Sequence, residues 1–244
     1  MKKYYYDLHL HSCLSPCGDD DNTPNNIAGM AKLCGLDIIA LTDHNSAKNC
    51  PAFFKAAERY DLIPVAGMEL TTAEDIHVVC LFERLDDALR FDEYINSNRA
   101  KIKNRPEIFG NQSILDENDH PIDEIDYLLI NATTIPLSNV KNEVVKFGGV
   151  CFPAHIDREA NGIIAVLGSL PEDIPFDYYE LHDKETIEHF CSEYKIDRER
   201  FLICSDAHYL TDIRDKENYL QISDKHTSHD EIRTALFEIL RRPR

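Results

Sequence analysis

The chain has 244 residues, 43% of them hydrophobic, enough to bury a substantial core as one α/β domain over residues 1–244, and its formal net charge is −18. That charge argues against a broad groove for a long nucleic-acid backbone, which is bound by Lys and Arg neutralising phosphates, although a metal-lined pocket can still take a phosphate. No apolar run approaches the roughly 20 residues of a membrane span, and MKKYYYDLHLH has no apolar signal core, so no membrane association and a cytoplasmic location are expected.

In chain order, YYYDLHLH reads as a first strand in which His9 and His11 point to one face. Thr23-Pro24 supplies an N-cap and first-turn proline for a helix whose apolar stripe is Ile27, Met30, Ala31 and Cys34, with Gly35 as its stop. LDIIALTDH is the second strand, PAFFKAAERYD a helix started by Pro51, and LIPVAGMEL the third strand. Only Thr71 to Asp75 separate the end of that strand from IHVVCLF. A parallel crossover needs a dozen residues or more, so the two strands form an antiparallel hairpin that brings Glu69 and His77 to one end.

Residues 86–104 read as helical, and FGNQSILDENDHPIDEIDYLLIN alternates around the turn Glu117-Asn118-Asp119, predicting a hairpin-like insertion at about 105–135 that serves as lid or wall. Ser138 is placed to cap the helix NVKNEVVKF, which Gly148-Gly149 end. VCFPAH, YYELHD and FLICSDAH are further strands, with a helix KETIEHFCSEYKI between the last two and a final helix HDEIRTALFEILRR. The eight cysteines, in a chain with no secretion signal, read as reduced thiols. Cys80, Cys151 and Cys204 lie in apolar strands as small core residues, while Cys13 and Cys17 flank the loop after the histidines, either as ordinary loop residues or in reach of a metal.

The strand ends carry the chemistry. DLHLH, LTDH, GMEL, CFPAH and ICSDAH all finish in metal-ligand side chains, and the hairpin delivers His77 to the same rim. One HxH is a weak signal and reads equally as two buried strand histidines; six such endings in one chain point to a site at the carboxyl ends of the strands.

These residues resemble the PHP (polymerase and histidinol phosphatase) superfamily of metal-dependent phosphoesterases: D-L-H-L-H-S at the start, L-T-D-H-N at Leu41 to Asn45, G-M-E at Gly67 to Glu69, the single His77, P-A-H at His155, and S-D-A-H at Ser205 to His208. The resemblance implies a distorted (β/α)7 TIM-like barrel with two or three divalent transition metals at its carboxyl-end rim. Carried over motif by motif, His9, His11, Glu69 and Asp206 hold a first metal, and Glu69 bridges to a second held by His77 and His155. Asp19, His44 and His208 take a third, and Glu69, Asp206 and His208 are expected to carry catalysis. The family's usual H-S-x-x-S-D-G is interrupted here by Pro16-Cys17-Gly18, so Asp20 and Asp21 stay open beside Asp19.

A mixed His and carboxylate set without required thiolates suits Zn²⁺, Mn²⁺ or Fe²⁺. Such ions acidify a bound water and clamp phosphate oxygens, which implies hydrolysis of a small phosphate ester by metal-bound hydroxide. Asp7 and Asp43 are read either as carboxylates that orient the ligand imidazoles or as ordinary strand-end hydrogen-bond acceptors. Arg158 and His182 are candidates for substrate contact. The substrate is a small phosphorylated molecule, a nucleotide, or the end of a short oligonucleotide. The competing classes are an amidohydrolase-like C–N hydrolase on a similar barrel and a noncatalytic metal- or nucleotide-binding module.

Overall fold

The computed structural model describes residues 1–242. Strand β1 (Lys2–Leu10) is followed by helix α1 (Pro24–Leu33), whose N-cap Thr23 accepts a hydrogen bond from the Asn26 amide and whose exit turns at Gly35 with φ 76°. Next come β2 (Ile38–Leu41), α2 (Cys50–Arg59), β3 (Ile63–Thr71) and β4 (His77–Phe82). Strands β3 and β4 are the expected antiparallel hairpin, with Thr71 opposite His77. The second half runs α3 (Leu85–Ser97), α4 (Pro106–Phe109), β5 (Ser113–Leu115), β6 (Pro121–Glu124), α5 (Leu137–Lys146), β7 (Val150–Pro153) and α6 (Ile163–Leu167). It ends with β8 (Tyr179–Leu181), α7 (Ile187–Tyr194), β9 (Phe201–Ile203), β10 (Tyr219–Ile222) and α8 (His229–Leu240).

Six strands form one curled half-barrel sheet in the order β10-β1-β2-β3-β4-β7. β1, β2 and β3 are mutually parallel, while β4, β7 and β10 each join by antiparallel pairing. The parallel pair β8–β9 attaches to β7 and β1: the Ile156 amide after β7 donates to Glu180 O at 2.9 Å, and Ala207, after β9, bridges to Leu10 of β1. One core lies between the sheet and α1, α2, α3 and α5. The other packs α8, through Leu236 and Phe237, against the opposite face.

Strict alternation along β1 would put Leu8 and Leu10 in the same core. They fall in different ones, because the register against β2 slips by one residue between Asp7 and Leu10. A bulge of this kind re-aims side chains and is common beside active sites; here it falls between Asp7 and Leu10, a span that includes His9.

Three local expectations differ from what forms. The helix expected over 86–104 stops at Ser97, where the Asn98 side-chain amide donates to Tyr94 O at 2.7 Å, and the chain then makes isolated bridges Arg99–Thr133 and Lys103–Tyr127. Ser138 caps nothing: α5 starts at Leu137, two residues before the expected Asn139, and the Leu137 amide finds its acceptor in Glu74 Oε2 at 2.9 Å, a tertiary substitute for a local cap. β10 is a four-residue edge strand that periodicity missed because it has only one buried residue.

The insertion is a β5–β6 hairpin turning at Asp119, φ 63°. Its tip is tied down: Asp119 accepts from Thr23 Oγ1 at 2.6 Å and from Asn25 Nδ2 at 2.9 Å, both at the start of α1. At its base Asn49 donates to Ser113 O and accepts from the Leu115 amide, and Asn45 donates to Leu129 O. Among the described residues no helix is long and apolar enough to cross a membrane.

Candidate metal centre

The strand ends converge on one carboxylate. Glu69, at the end of β3 and 1% exposed, has His77 Nδ1 at 2.8 Å, His155 Nε2 at 3.1 Å and His9 Nε2 at 3.5 Å from Oε1. His44 Nδ1 lies at 3.0 Å and His11 Nε2 at 3.4 Å from Oε2. Asp206, after β9, places Oδ1 3.3 Å from His9 Nε2 and 3.2 Å from His11 Nε2. Three overlapping groups have donor atoms close enough to share an ion: His9, His11, Glu69 and Asp206; His44, Glu69 and His77; and His11, His44 and His208. Asn45, His155 and Asp206 adopt left-handed backbone, φ 49°, 29° and 52°, a cost that non-glycine residues bear where surrounding structure holds them to a task.

The imidazoles of the β1 side are locked from behind. His9 Nδ1 meets both oxygens of the fully buried Glu180, at 3.0 and 2.9 Å. His11 Nδ1 lies 2.9 Å from Ser15 Oγ, whose single proton goes to Asp43 Oδ1 at 2.7 Å, so the serine accepts from the ring. His208 Nδ1 donates to Asp206 O at 2.9 Å. Each contact puts the proton on Nδ1 and turns an Nε2 lone pair inward, the arrangement that metal-ligand histidines take from their outer partners. Neither Asp7 nor Asp43 touches a ring. Asp7 accepts from the backbone amides of His9 and Ser205, and Asp43 binds Ser12 and Ser15.

The arrangement suits cations and little else. His9 Nε2 and His11 Nε2 face each other at 3.1 Å, and the buried atoms Glu69 Oε2, Asp206 Oδ1, His44 Nδ1 and His155 Nδ1 have no hydrogen-bond partner. Buried groups of this polarity are normally satisfied or paired. Burial pushes the Glu69 carboxyl up, yet His77, His9 and His44 outweigh it and hold the group well below the ordinary range. Burial disfavours a charged His9, but Glu180, Asp206 and Glu69 raise its pKa well above the usual imidazole value. Burial and neighbouring His208 push His11 well down.

Asp19 is not brought to the cluster: its Oδ1 closes its own turn by accepting from the Asp21 amide at 2.9 Å. Cys17 sits nearer, its Sγ 3.1 Å from His44 Nε2. At the mouth, a cavity of about 140 Å³ is lined by His44, Glu69, His77, His155, Arg158, Asp206 and His208. Arg158 pairs with Asp206 and reaches the His182 ring at 3.0 Å. Arg214, which no motif singled out, meets the same ring at 2.9 Å. Burial, Arg158 and Arg214 together lower the His182 pKa. A larger open cleft of about 440 Å³, between α2, α3 and α8, is lined by Arg84, Asp86, Asp230 and Arg233 among others, with no histidine or cysteine.

Sequence reasoning missed Glu180, Ser15 and Arg214. Glu180 had one signal, a lone acid inside the strand YYEL, where an unpaired charge is costly to bury.

The sequence profile of the PHP domain matches residues 7–125, which include His9, His11, His44, Glu69 and His77. Over those residues the chain is similar to the PHP superfamily. The PHP superfamily comprises metal-dependent hydrolases of phosphoester bonds. The chain is 27% identical over 156 residues to the DNA polymerase III PolC-type of Listeria monocytogenes, a match covering 57% of this chain and 10% of that one. It thus spans about a tenth of that PolC-type relative's length. Its fold is similar to PfuEndoQ, a lesion-specific endonuclease from Pyrococcus furiosus, with TM-score 0.67 and 18% identity over 98% of this chain and 56% of that chain. It is also similar to a Bifidobacterium adolescentis protein classed provisionally as a metal-dependent phosphoesterase, with TM-score 0.58 and 16% identity over 96% of both chains.

Proposed function

We propose that this chain hydrolyses a phosphate ester at a centre of two or three divalent cations. The observation that carries the reading is the position of Glu69, a buried carboxylate whose two oxygens face different imidazoles, His77 and His155 on one and His44 and His11 on the other. His9, His11, Glu69 and Asp206 would hold one cation, and Glu69 with His77 and His155 a second. His44 and His208 serve a third. Bound there, such ions supply Lewis-acid charge toward phosphoryl oxygens and lower the pKa of water at the site.

The chain's own residues do the remaining work. Glu180, Ser15 and the Asp206 carbonyl fix which ring nitrogen faces inward. Arg158 lines the cavity and, with Arg214, contacts His182, and forked guanidinium donors of this kind match the oxygens of a phosphate. A cavity of about 140 Å³ has room for a phosphoryl group and little of its leaving group, so the leaving group extends outward. That geometry suits a small phosphate ester. A nucleic-acid strand end is the second reading, favoured by the names of two relatives, a DNA polymerase and a lesion-specific endonuclease, while the net charge of −18 tells against a long backbone groove. The strands are read as a distorted (β/α)7 barrel within one domain, and the insertion, latched at Asp119, as a fixed wall of the site.

The test is turnover of a phosphoester panel, from sugar phosphates and nucleotides to short oligonucleotides, by chelated protein reloaded with Mn²⁺, Zn²⁺ or Fe²⁺. Hydrolysis that returns only with metal is expected. Activity undiminished by chelation and metal-free dialysis overturns the reading.

A further inference from the structure

The loop after β1 brings a sulfur where a third carboxylate was expected. Cys17 Sγ stands 3.1 Å from His44 Nε2, whereas Asp19 Oδ1 accepts from the Asp21 amide. The backbone leaves little freedom to exchange the two. The Ser15 amide donates to Ser12 O at 3.0 Å, that of Gly18 to Ser15 O at 2.8 Å, and that of Asp19 to His208 O at 2.9 Å. A side chain at Gly18 would put its first carbon 2.4 Å from Ser12 O, so the turn that presents Cys17 closes only on glycine.

Independent features of the same corner call for a cation. His11, His44 and His208 offer ring nitrogens within 4.8 Å of one another, and His208, with its proton spent on Asp206 O, has an Nε2 lone pair to give. Glu69 Oε2, buried and without a hydrogen bond, lies 3.0 Å from His44 Nδ1. His44 thus has a carboxylate at one nitrogen and a sulfur at the other.

We propose that Cys17, as a thiolate, joins His44 and His208 as a ligand to a cation at this corner, in place of a carboxylate. The assignment rests on the metal-dependent reading of the centre. Binding exchanges the thiol proton for the metal–sulfur bond and releases that proton to solvent. In a tetrahedral zinc site, sulfur at about 2.3 Å and nitrogen at about 2.0 Å from the ion lie roughly 3.5 Å apart, so Sγ and Nε2 need only a small separation to admit one. A sulfur ligand biases this corner toward Zn²⁺ over Mn²⁺, unlike the His and carboxylate sets beside it.

The experiment uses the full chain, chelated and reloaded with Co²⁺ alone, reading cobalt per chain by elemental analysis and thiolate-to-cobalt charge transfer in the near ultraviolet. The charge-transfer band is expected in the wild type and in Cys13→Ser, and its loss in Cys17→Ser, together with a fall of about 10–100-fold in the affinity of one cobalt. Cys17→Asp keeps the loading without the band, and circular dichroism establishes that each variant is folded. Full cobalt loading without the band in the wild type, or a band unchanged in Cys17→Ser, overturns the Cys17 assignment alone. A folded chain that binds no cobalt overturns the metal reading and this assignment with it.

Discussion

The two sides of the centre are built differently. On the β1 side each imidazole is held from behind: His9 by Glu180, His11 by Ser15 and through it Asp43, and His208 by the Asp206 carbonyl. On the β3–β4–β7 side His77 and His155 lean directly on Glu69 Oε1, and His155 Nδ1 has no partner. The first side is preorganised, while the second is held in place by the carboxylate that a cation would share. Affinity should follow that order, because outer partners fix both the orientation and the basicity of ligand imidazoles.

Glu69 joins the two sides, so neutralising it is expected to do the most damage. Glu69→Gln should cost more than about 100-fold in turnover, beyond the range for one outer partner, and should empty two positions in elemental analysis. A folded Glu69→Gln with full loading and near-wild-type turnover would break the shared-carboxylate reading. Next comes the contrast itself. Glu180→Gln should weaken the tightest-bound cation by about 10–100-fold, while His155→Ala should remove only a weaker one and leave the His9–His11 set loaded. Equal loss of all cations in both variants, measured by metal titration, would erase the distinction between the sides.

Asp43 acts on His11 only through Ser15, so Asp43→Asn should cost about 10-fold or less in metal affinity, and a larger loss would mean that Asp43 meets the ion itself. The smallest effect concerns Asp7, whose carboxyl burial pushes up to about 6. Between about pH 4 and pH 6 the folded chain holds a proton there that the unfolded chain has released, so the stability tied to that proton is lost as pH rises through this window. In chelator-treated protein the Tm difference between wild type and Asp7→Asn should therefore move against the wild type from pH 4 to pH 6. A constant difference would mean that Asp7 titrates normally.

The strand-end ligands were legible because each is a His or acid closing an apolar run, and apolar runs predict strands well. Glu69 and His77 were placed together by loop length alone, since five residues cannot make a parallel crossover. What could not be read were directions set by tertiary contacts. Asp19 turns one carboxylate oxygen onto the Asp21 amide, and Glu180 has no motif because its partner lies 171 residues away. The early end of α3 and the start of α5 depended on Asn98 and Glu74 in the same way. The register slip that separates Leu8 from Leu10 has no sequence mark, since every residue around it is compatible with plain alternation.

Strand β1 takes β2 along one edge and β10 along the other, and Ala207 bridges to its end. His9 and His11 precede Glu180, Asp206 and the edge partner of their strand by some 170 residues or more. Until those residues are made, the strand that carries the two histidines has β2 along one edge and nothing along the other. Closing so long a loop is slow relative to local helix formation, and the centre is assembled last. A cell's metal supply then meets a finished cage instead of a nascent chain, and which ion enters is decided by the folded geometry.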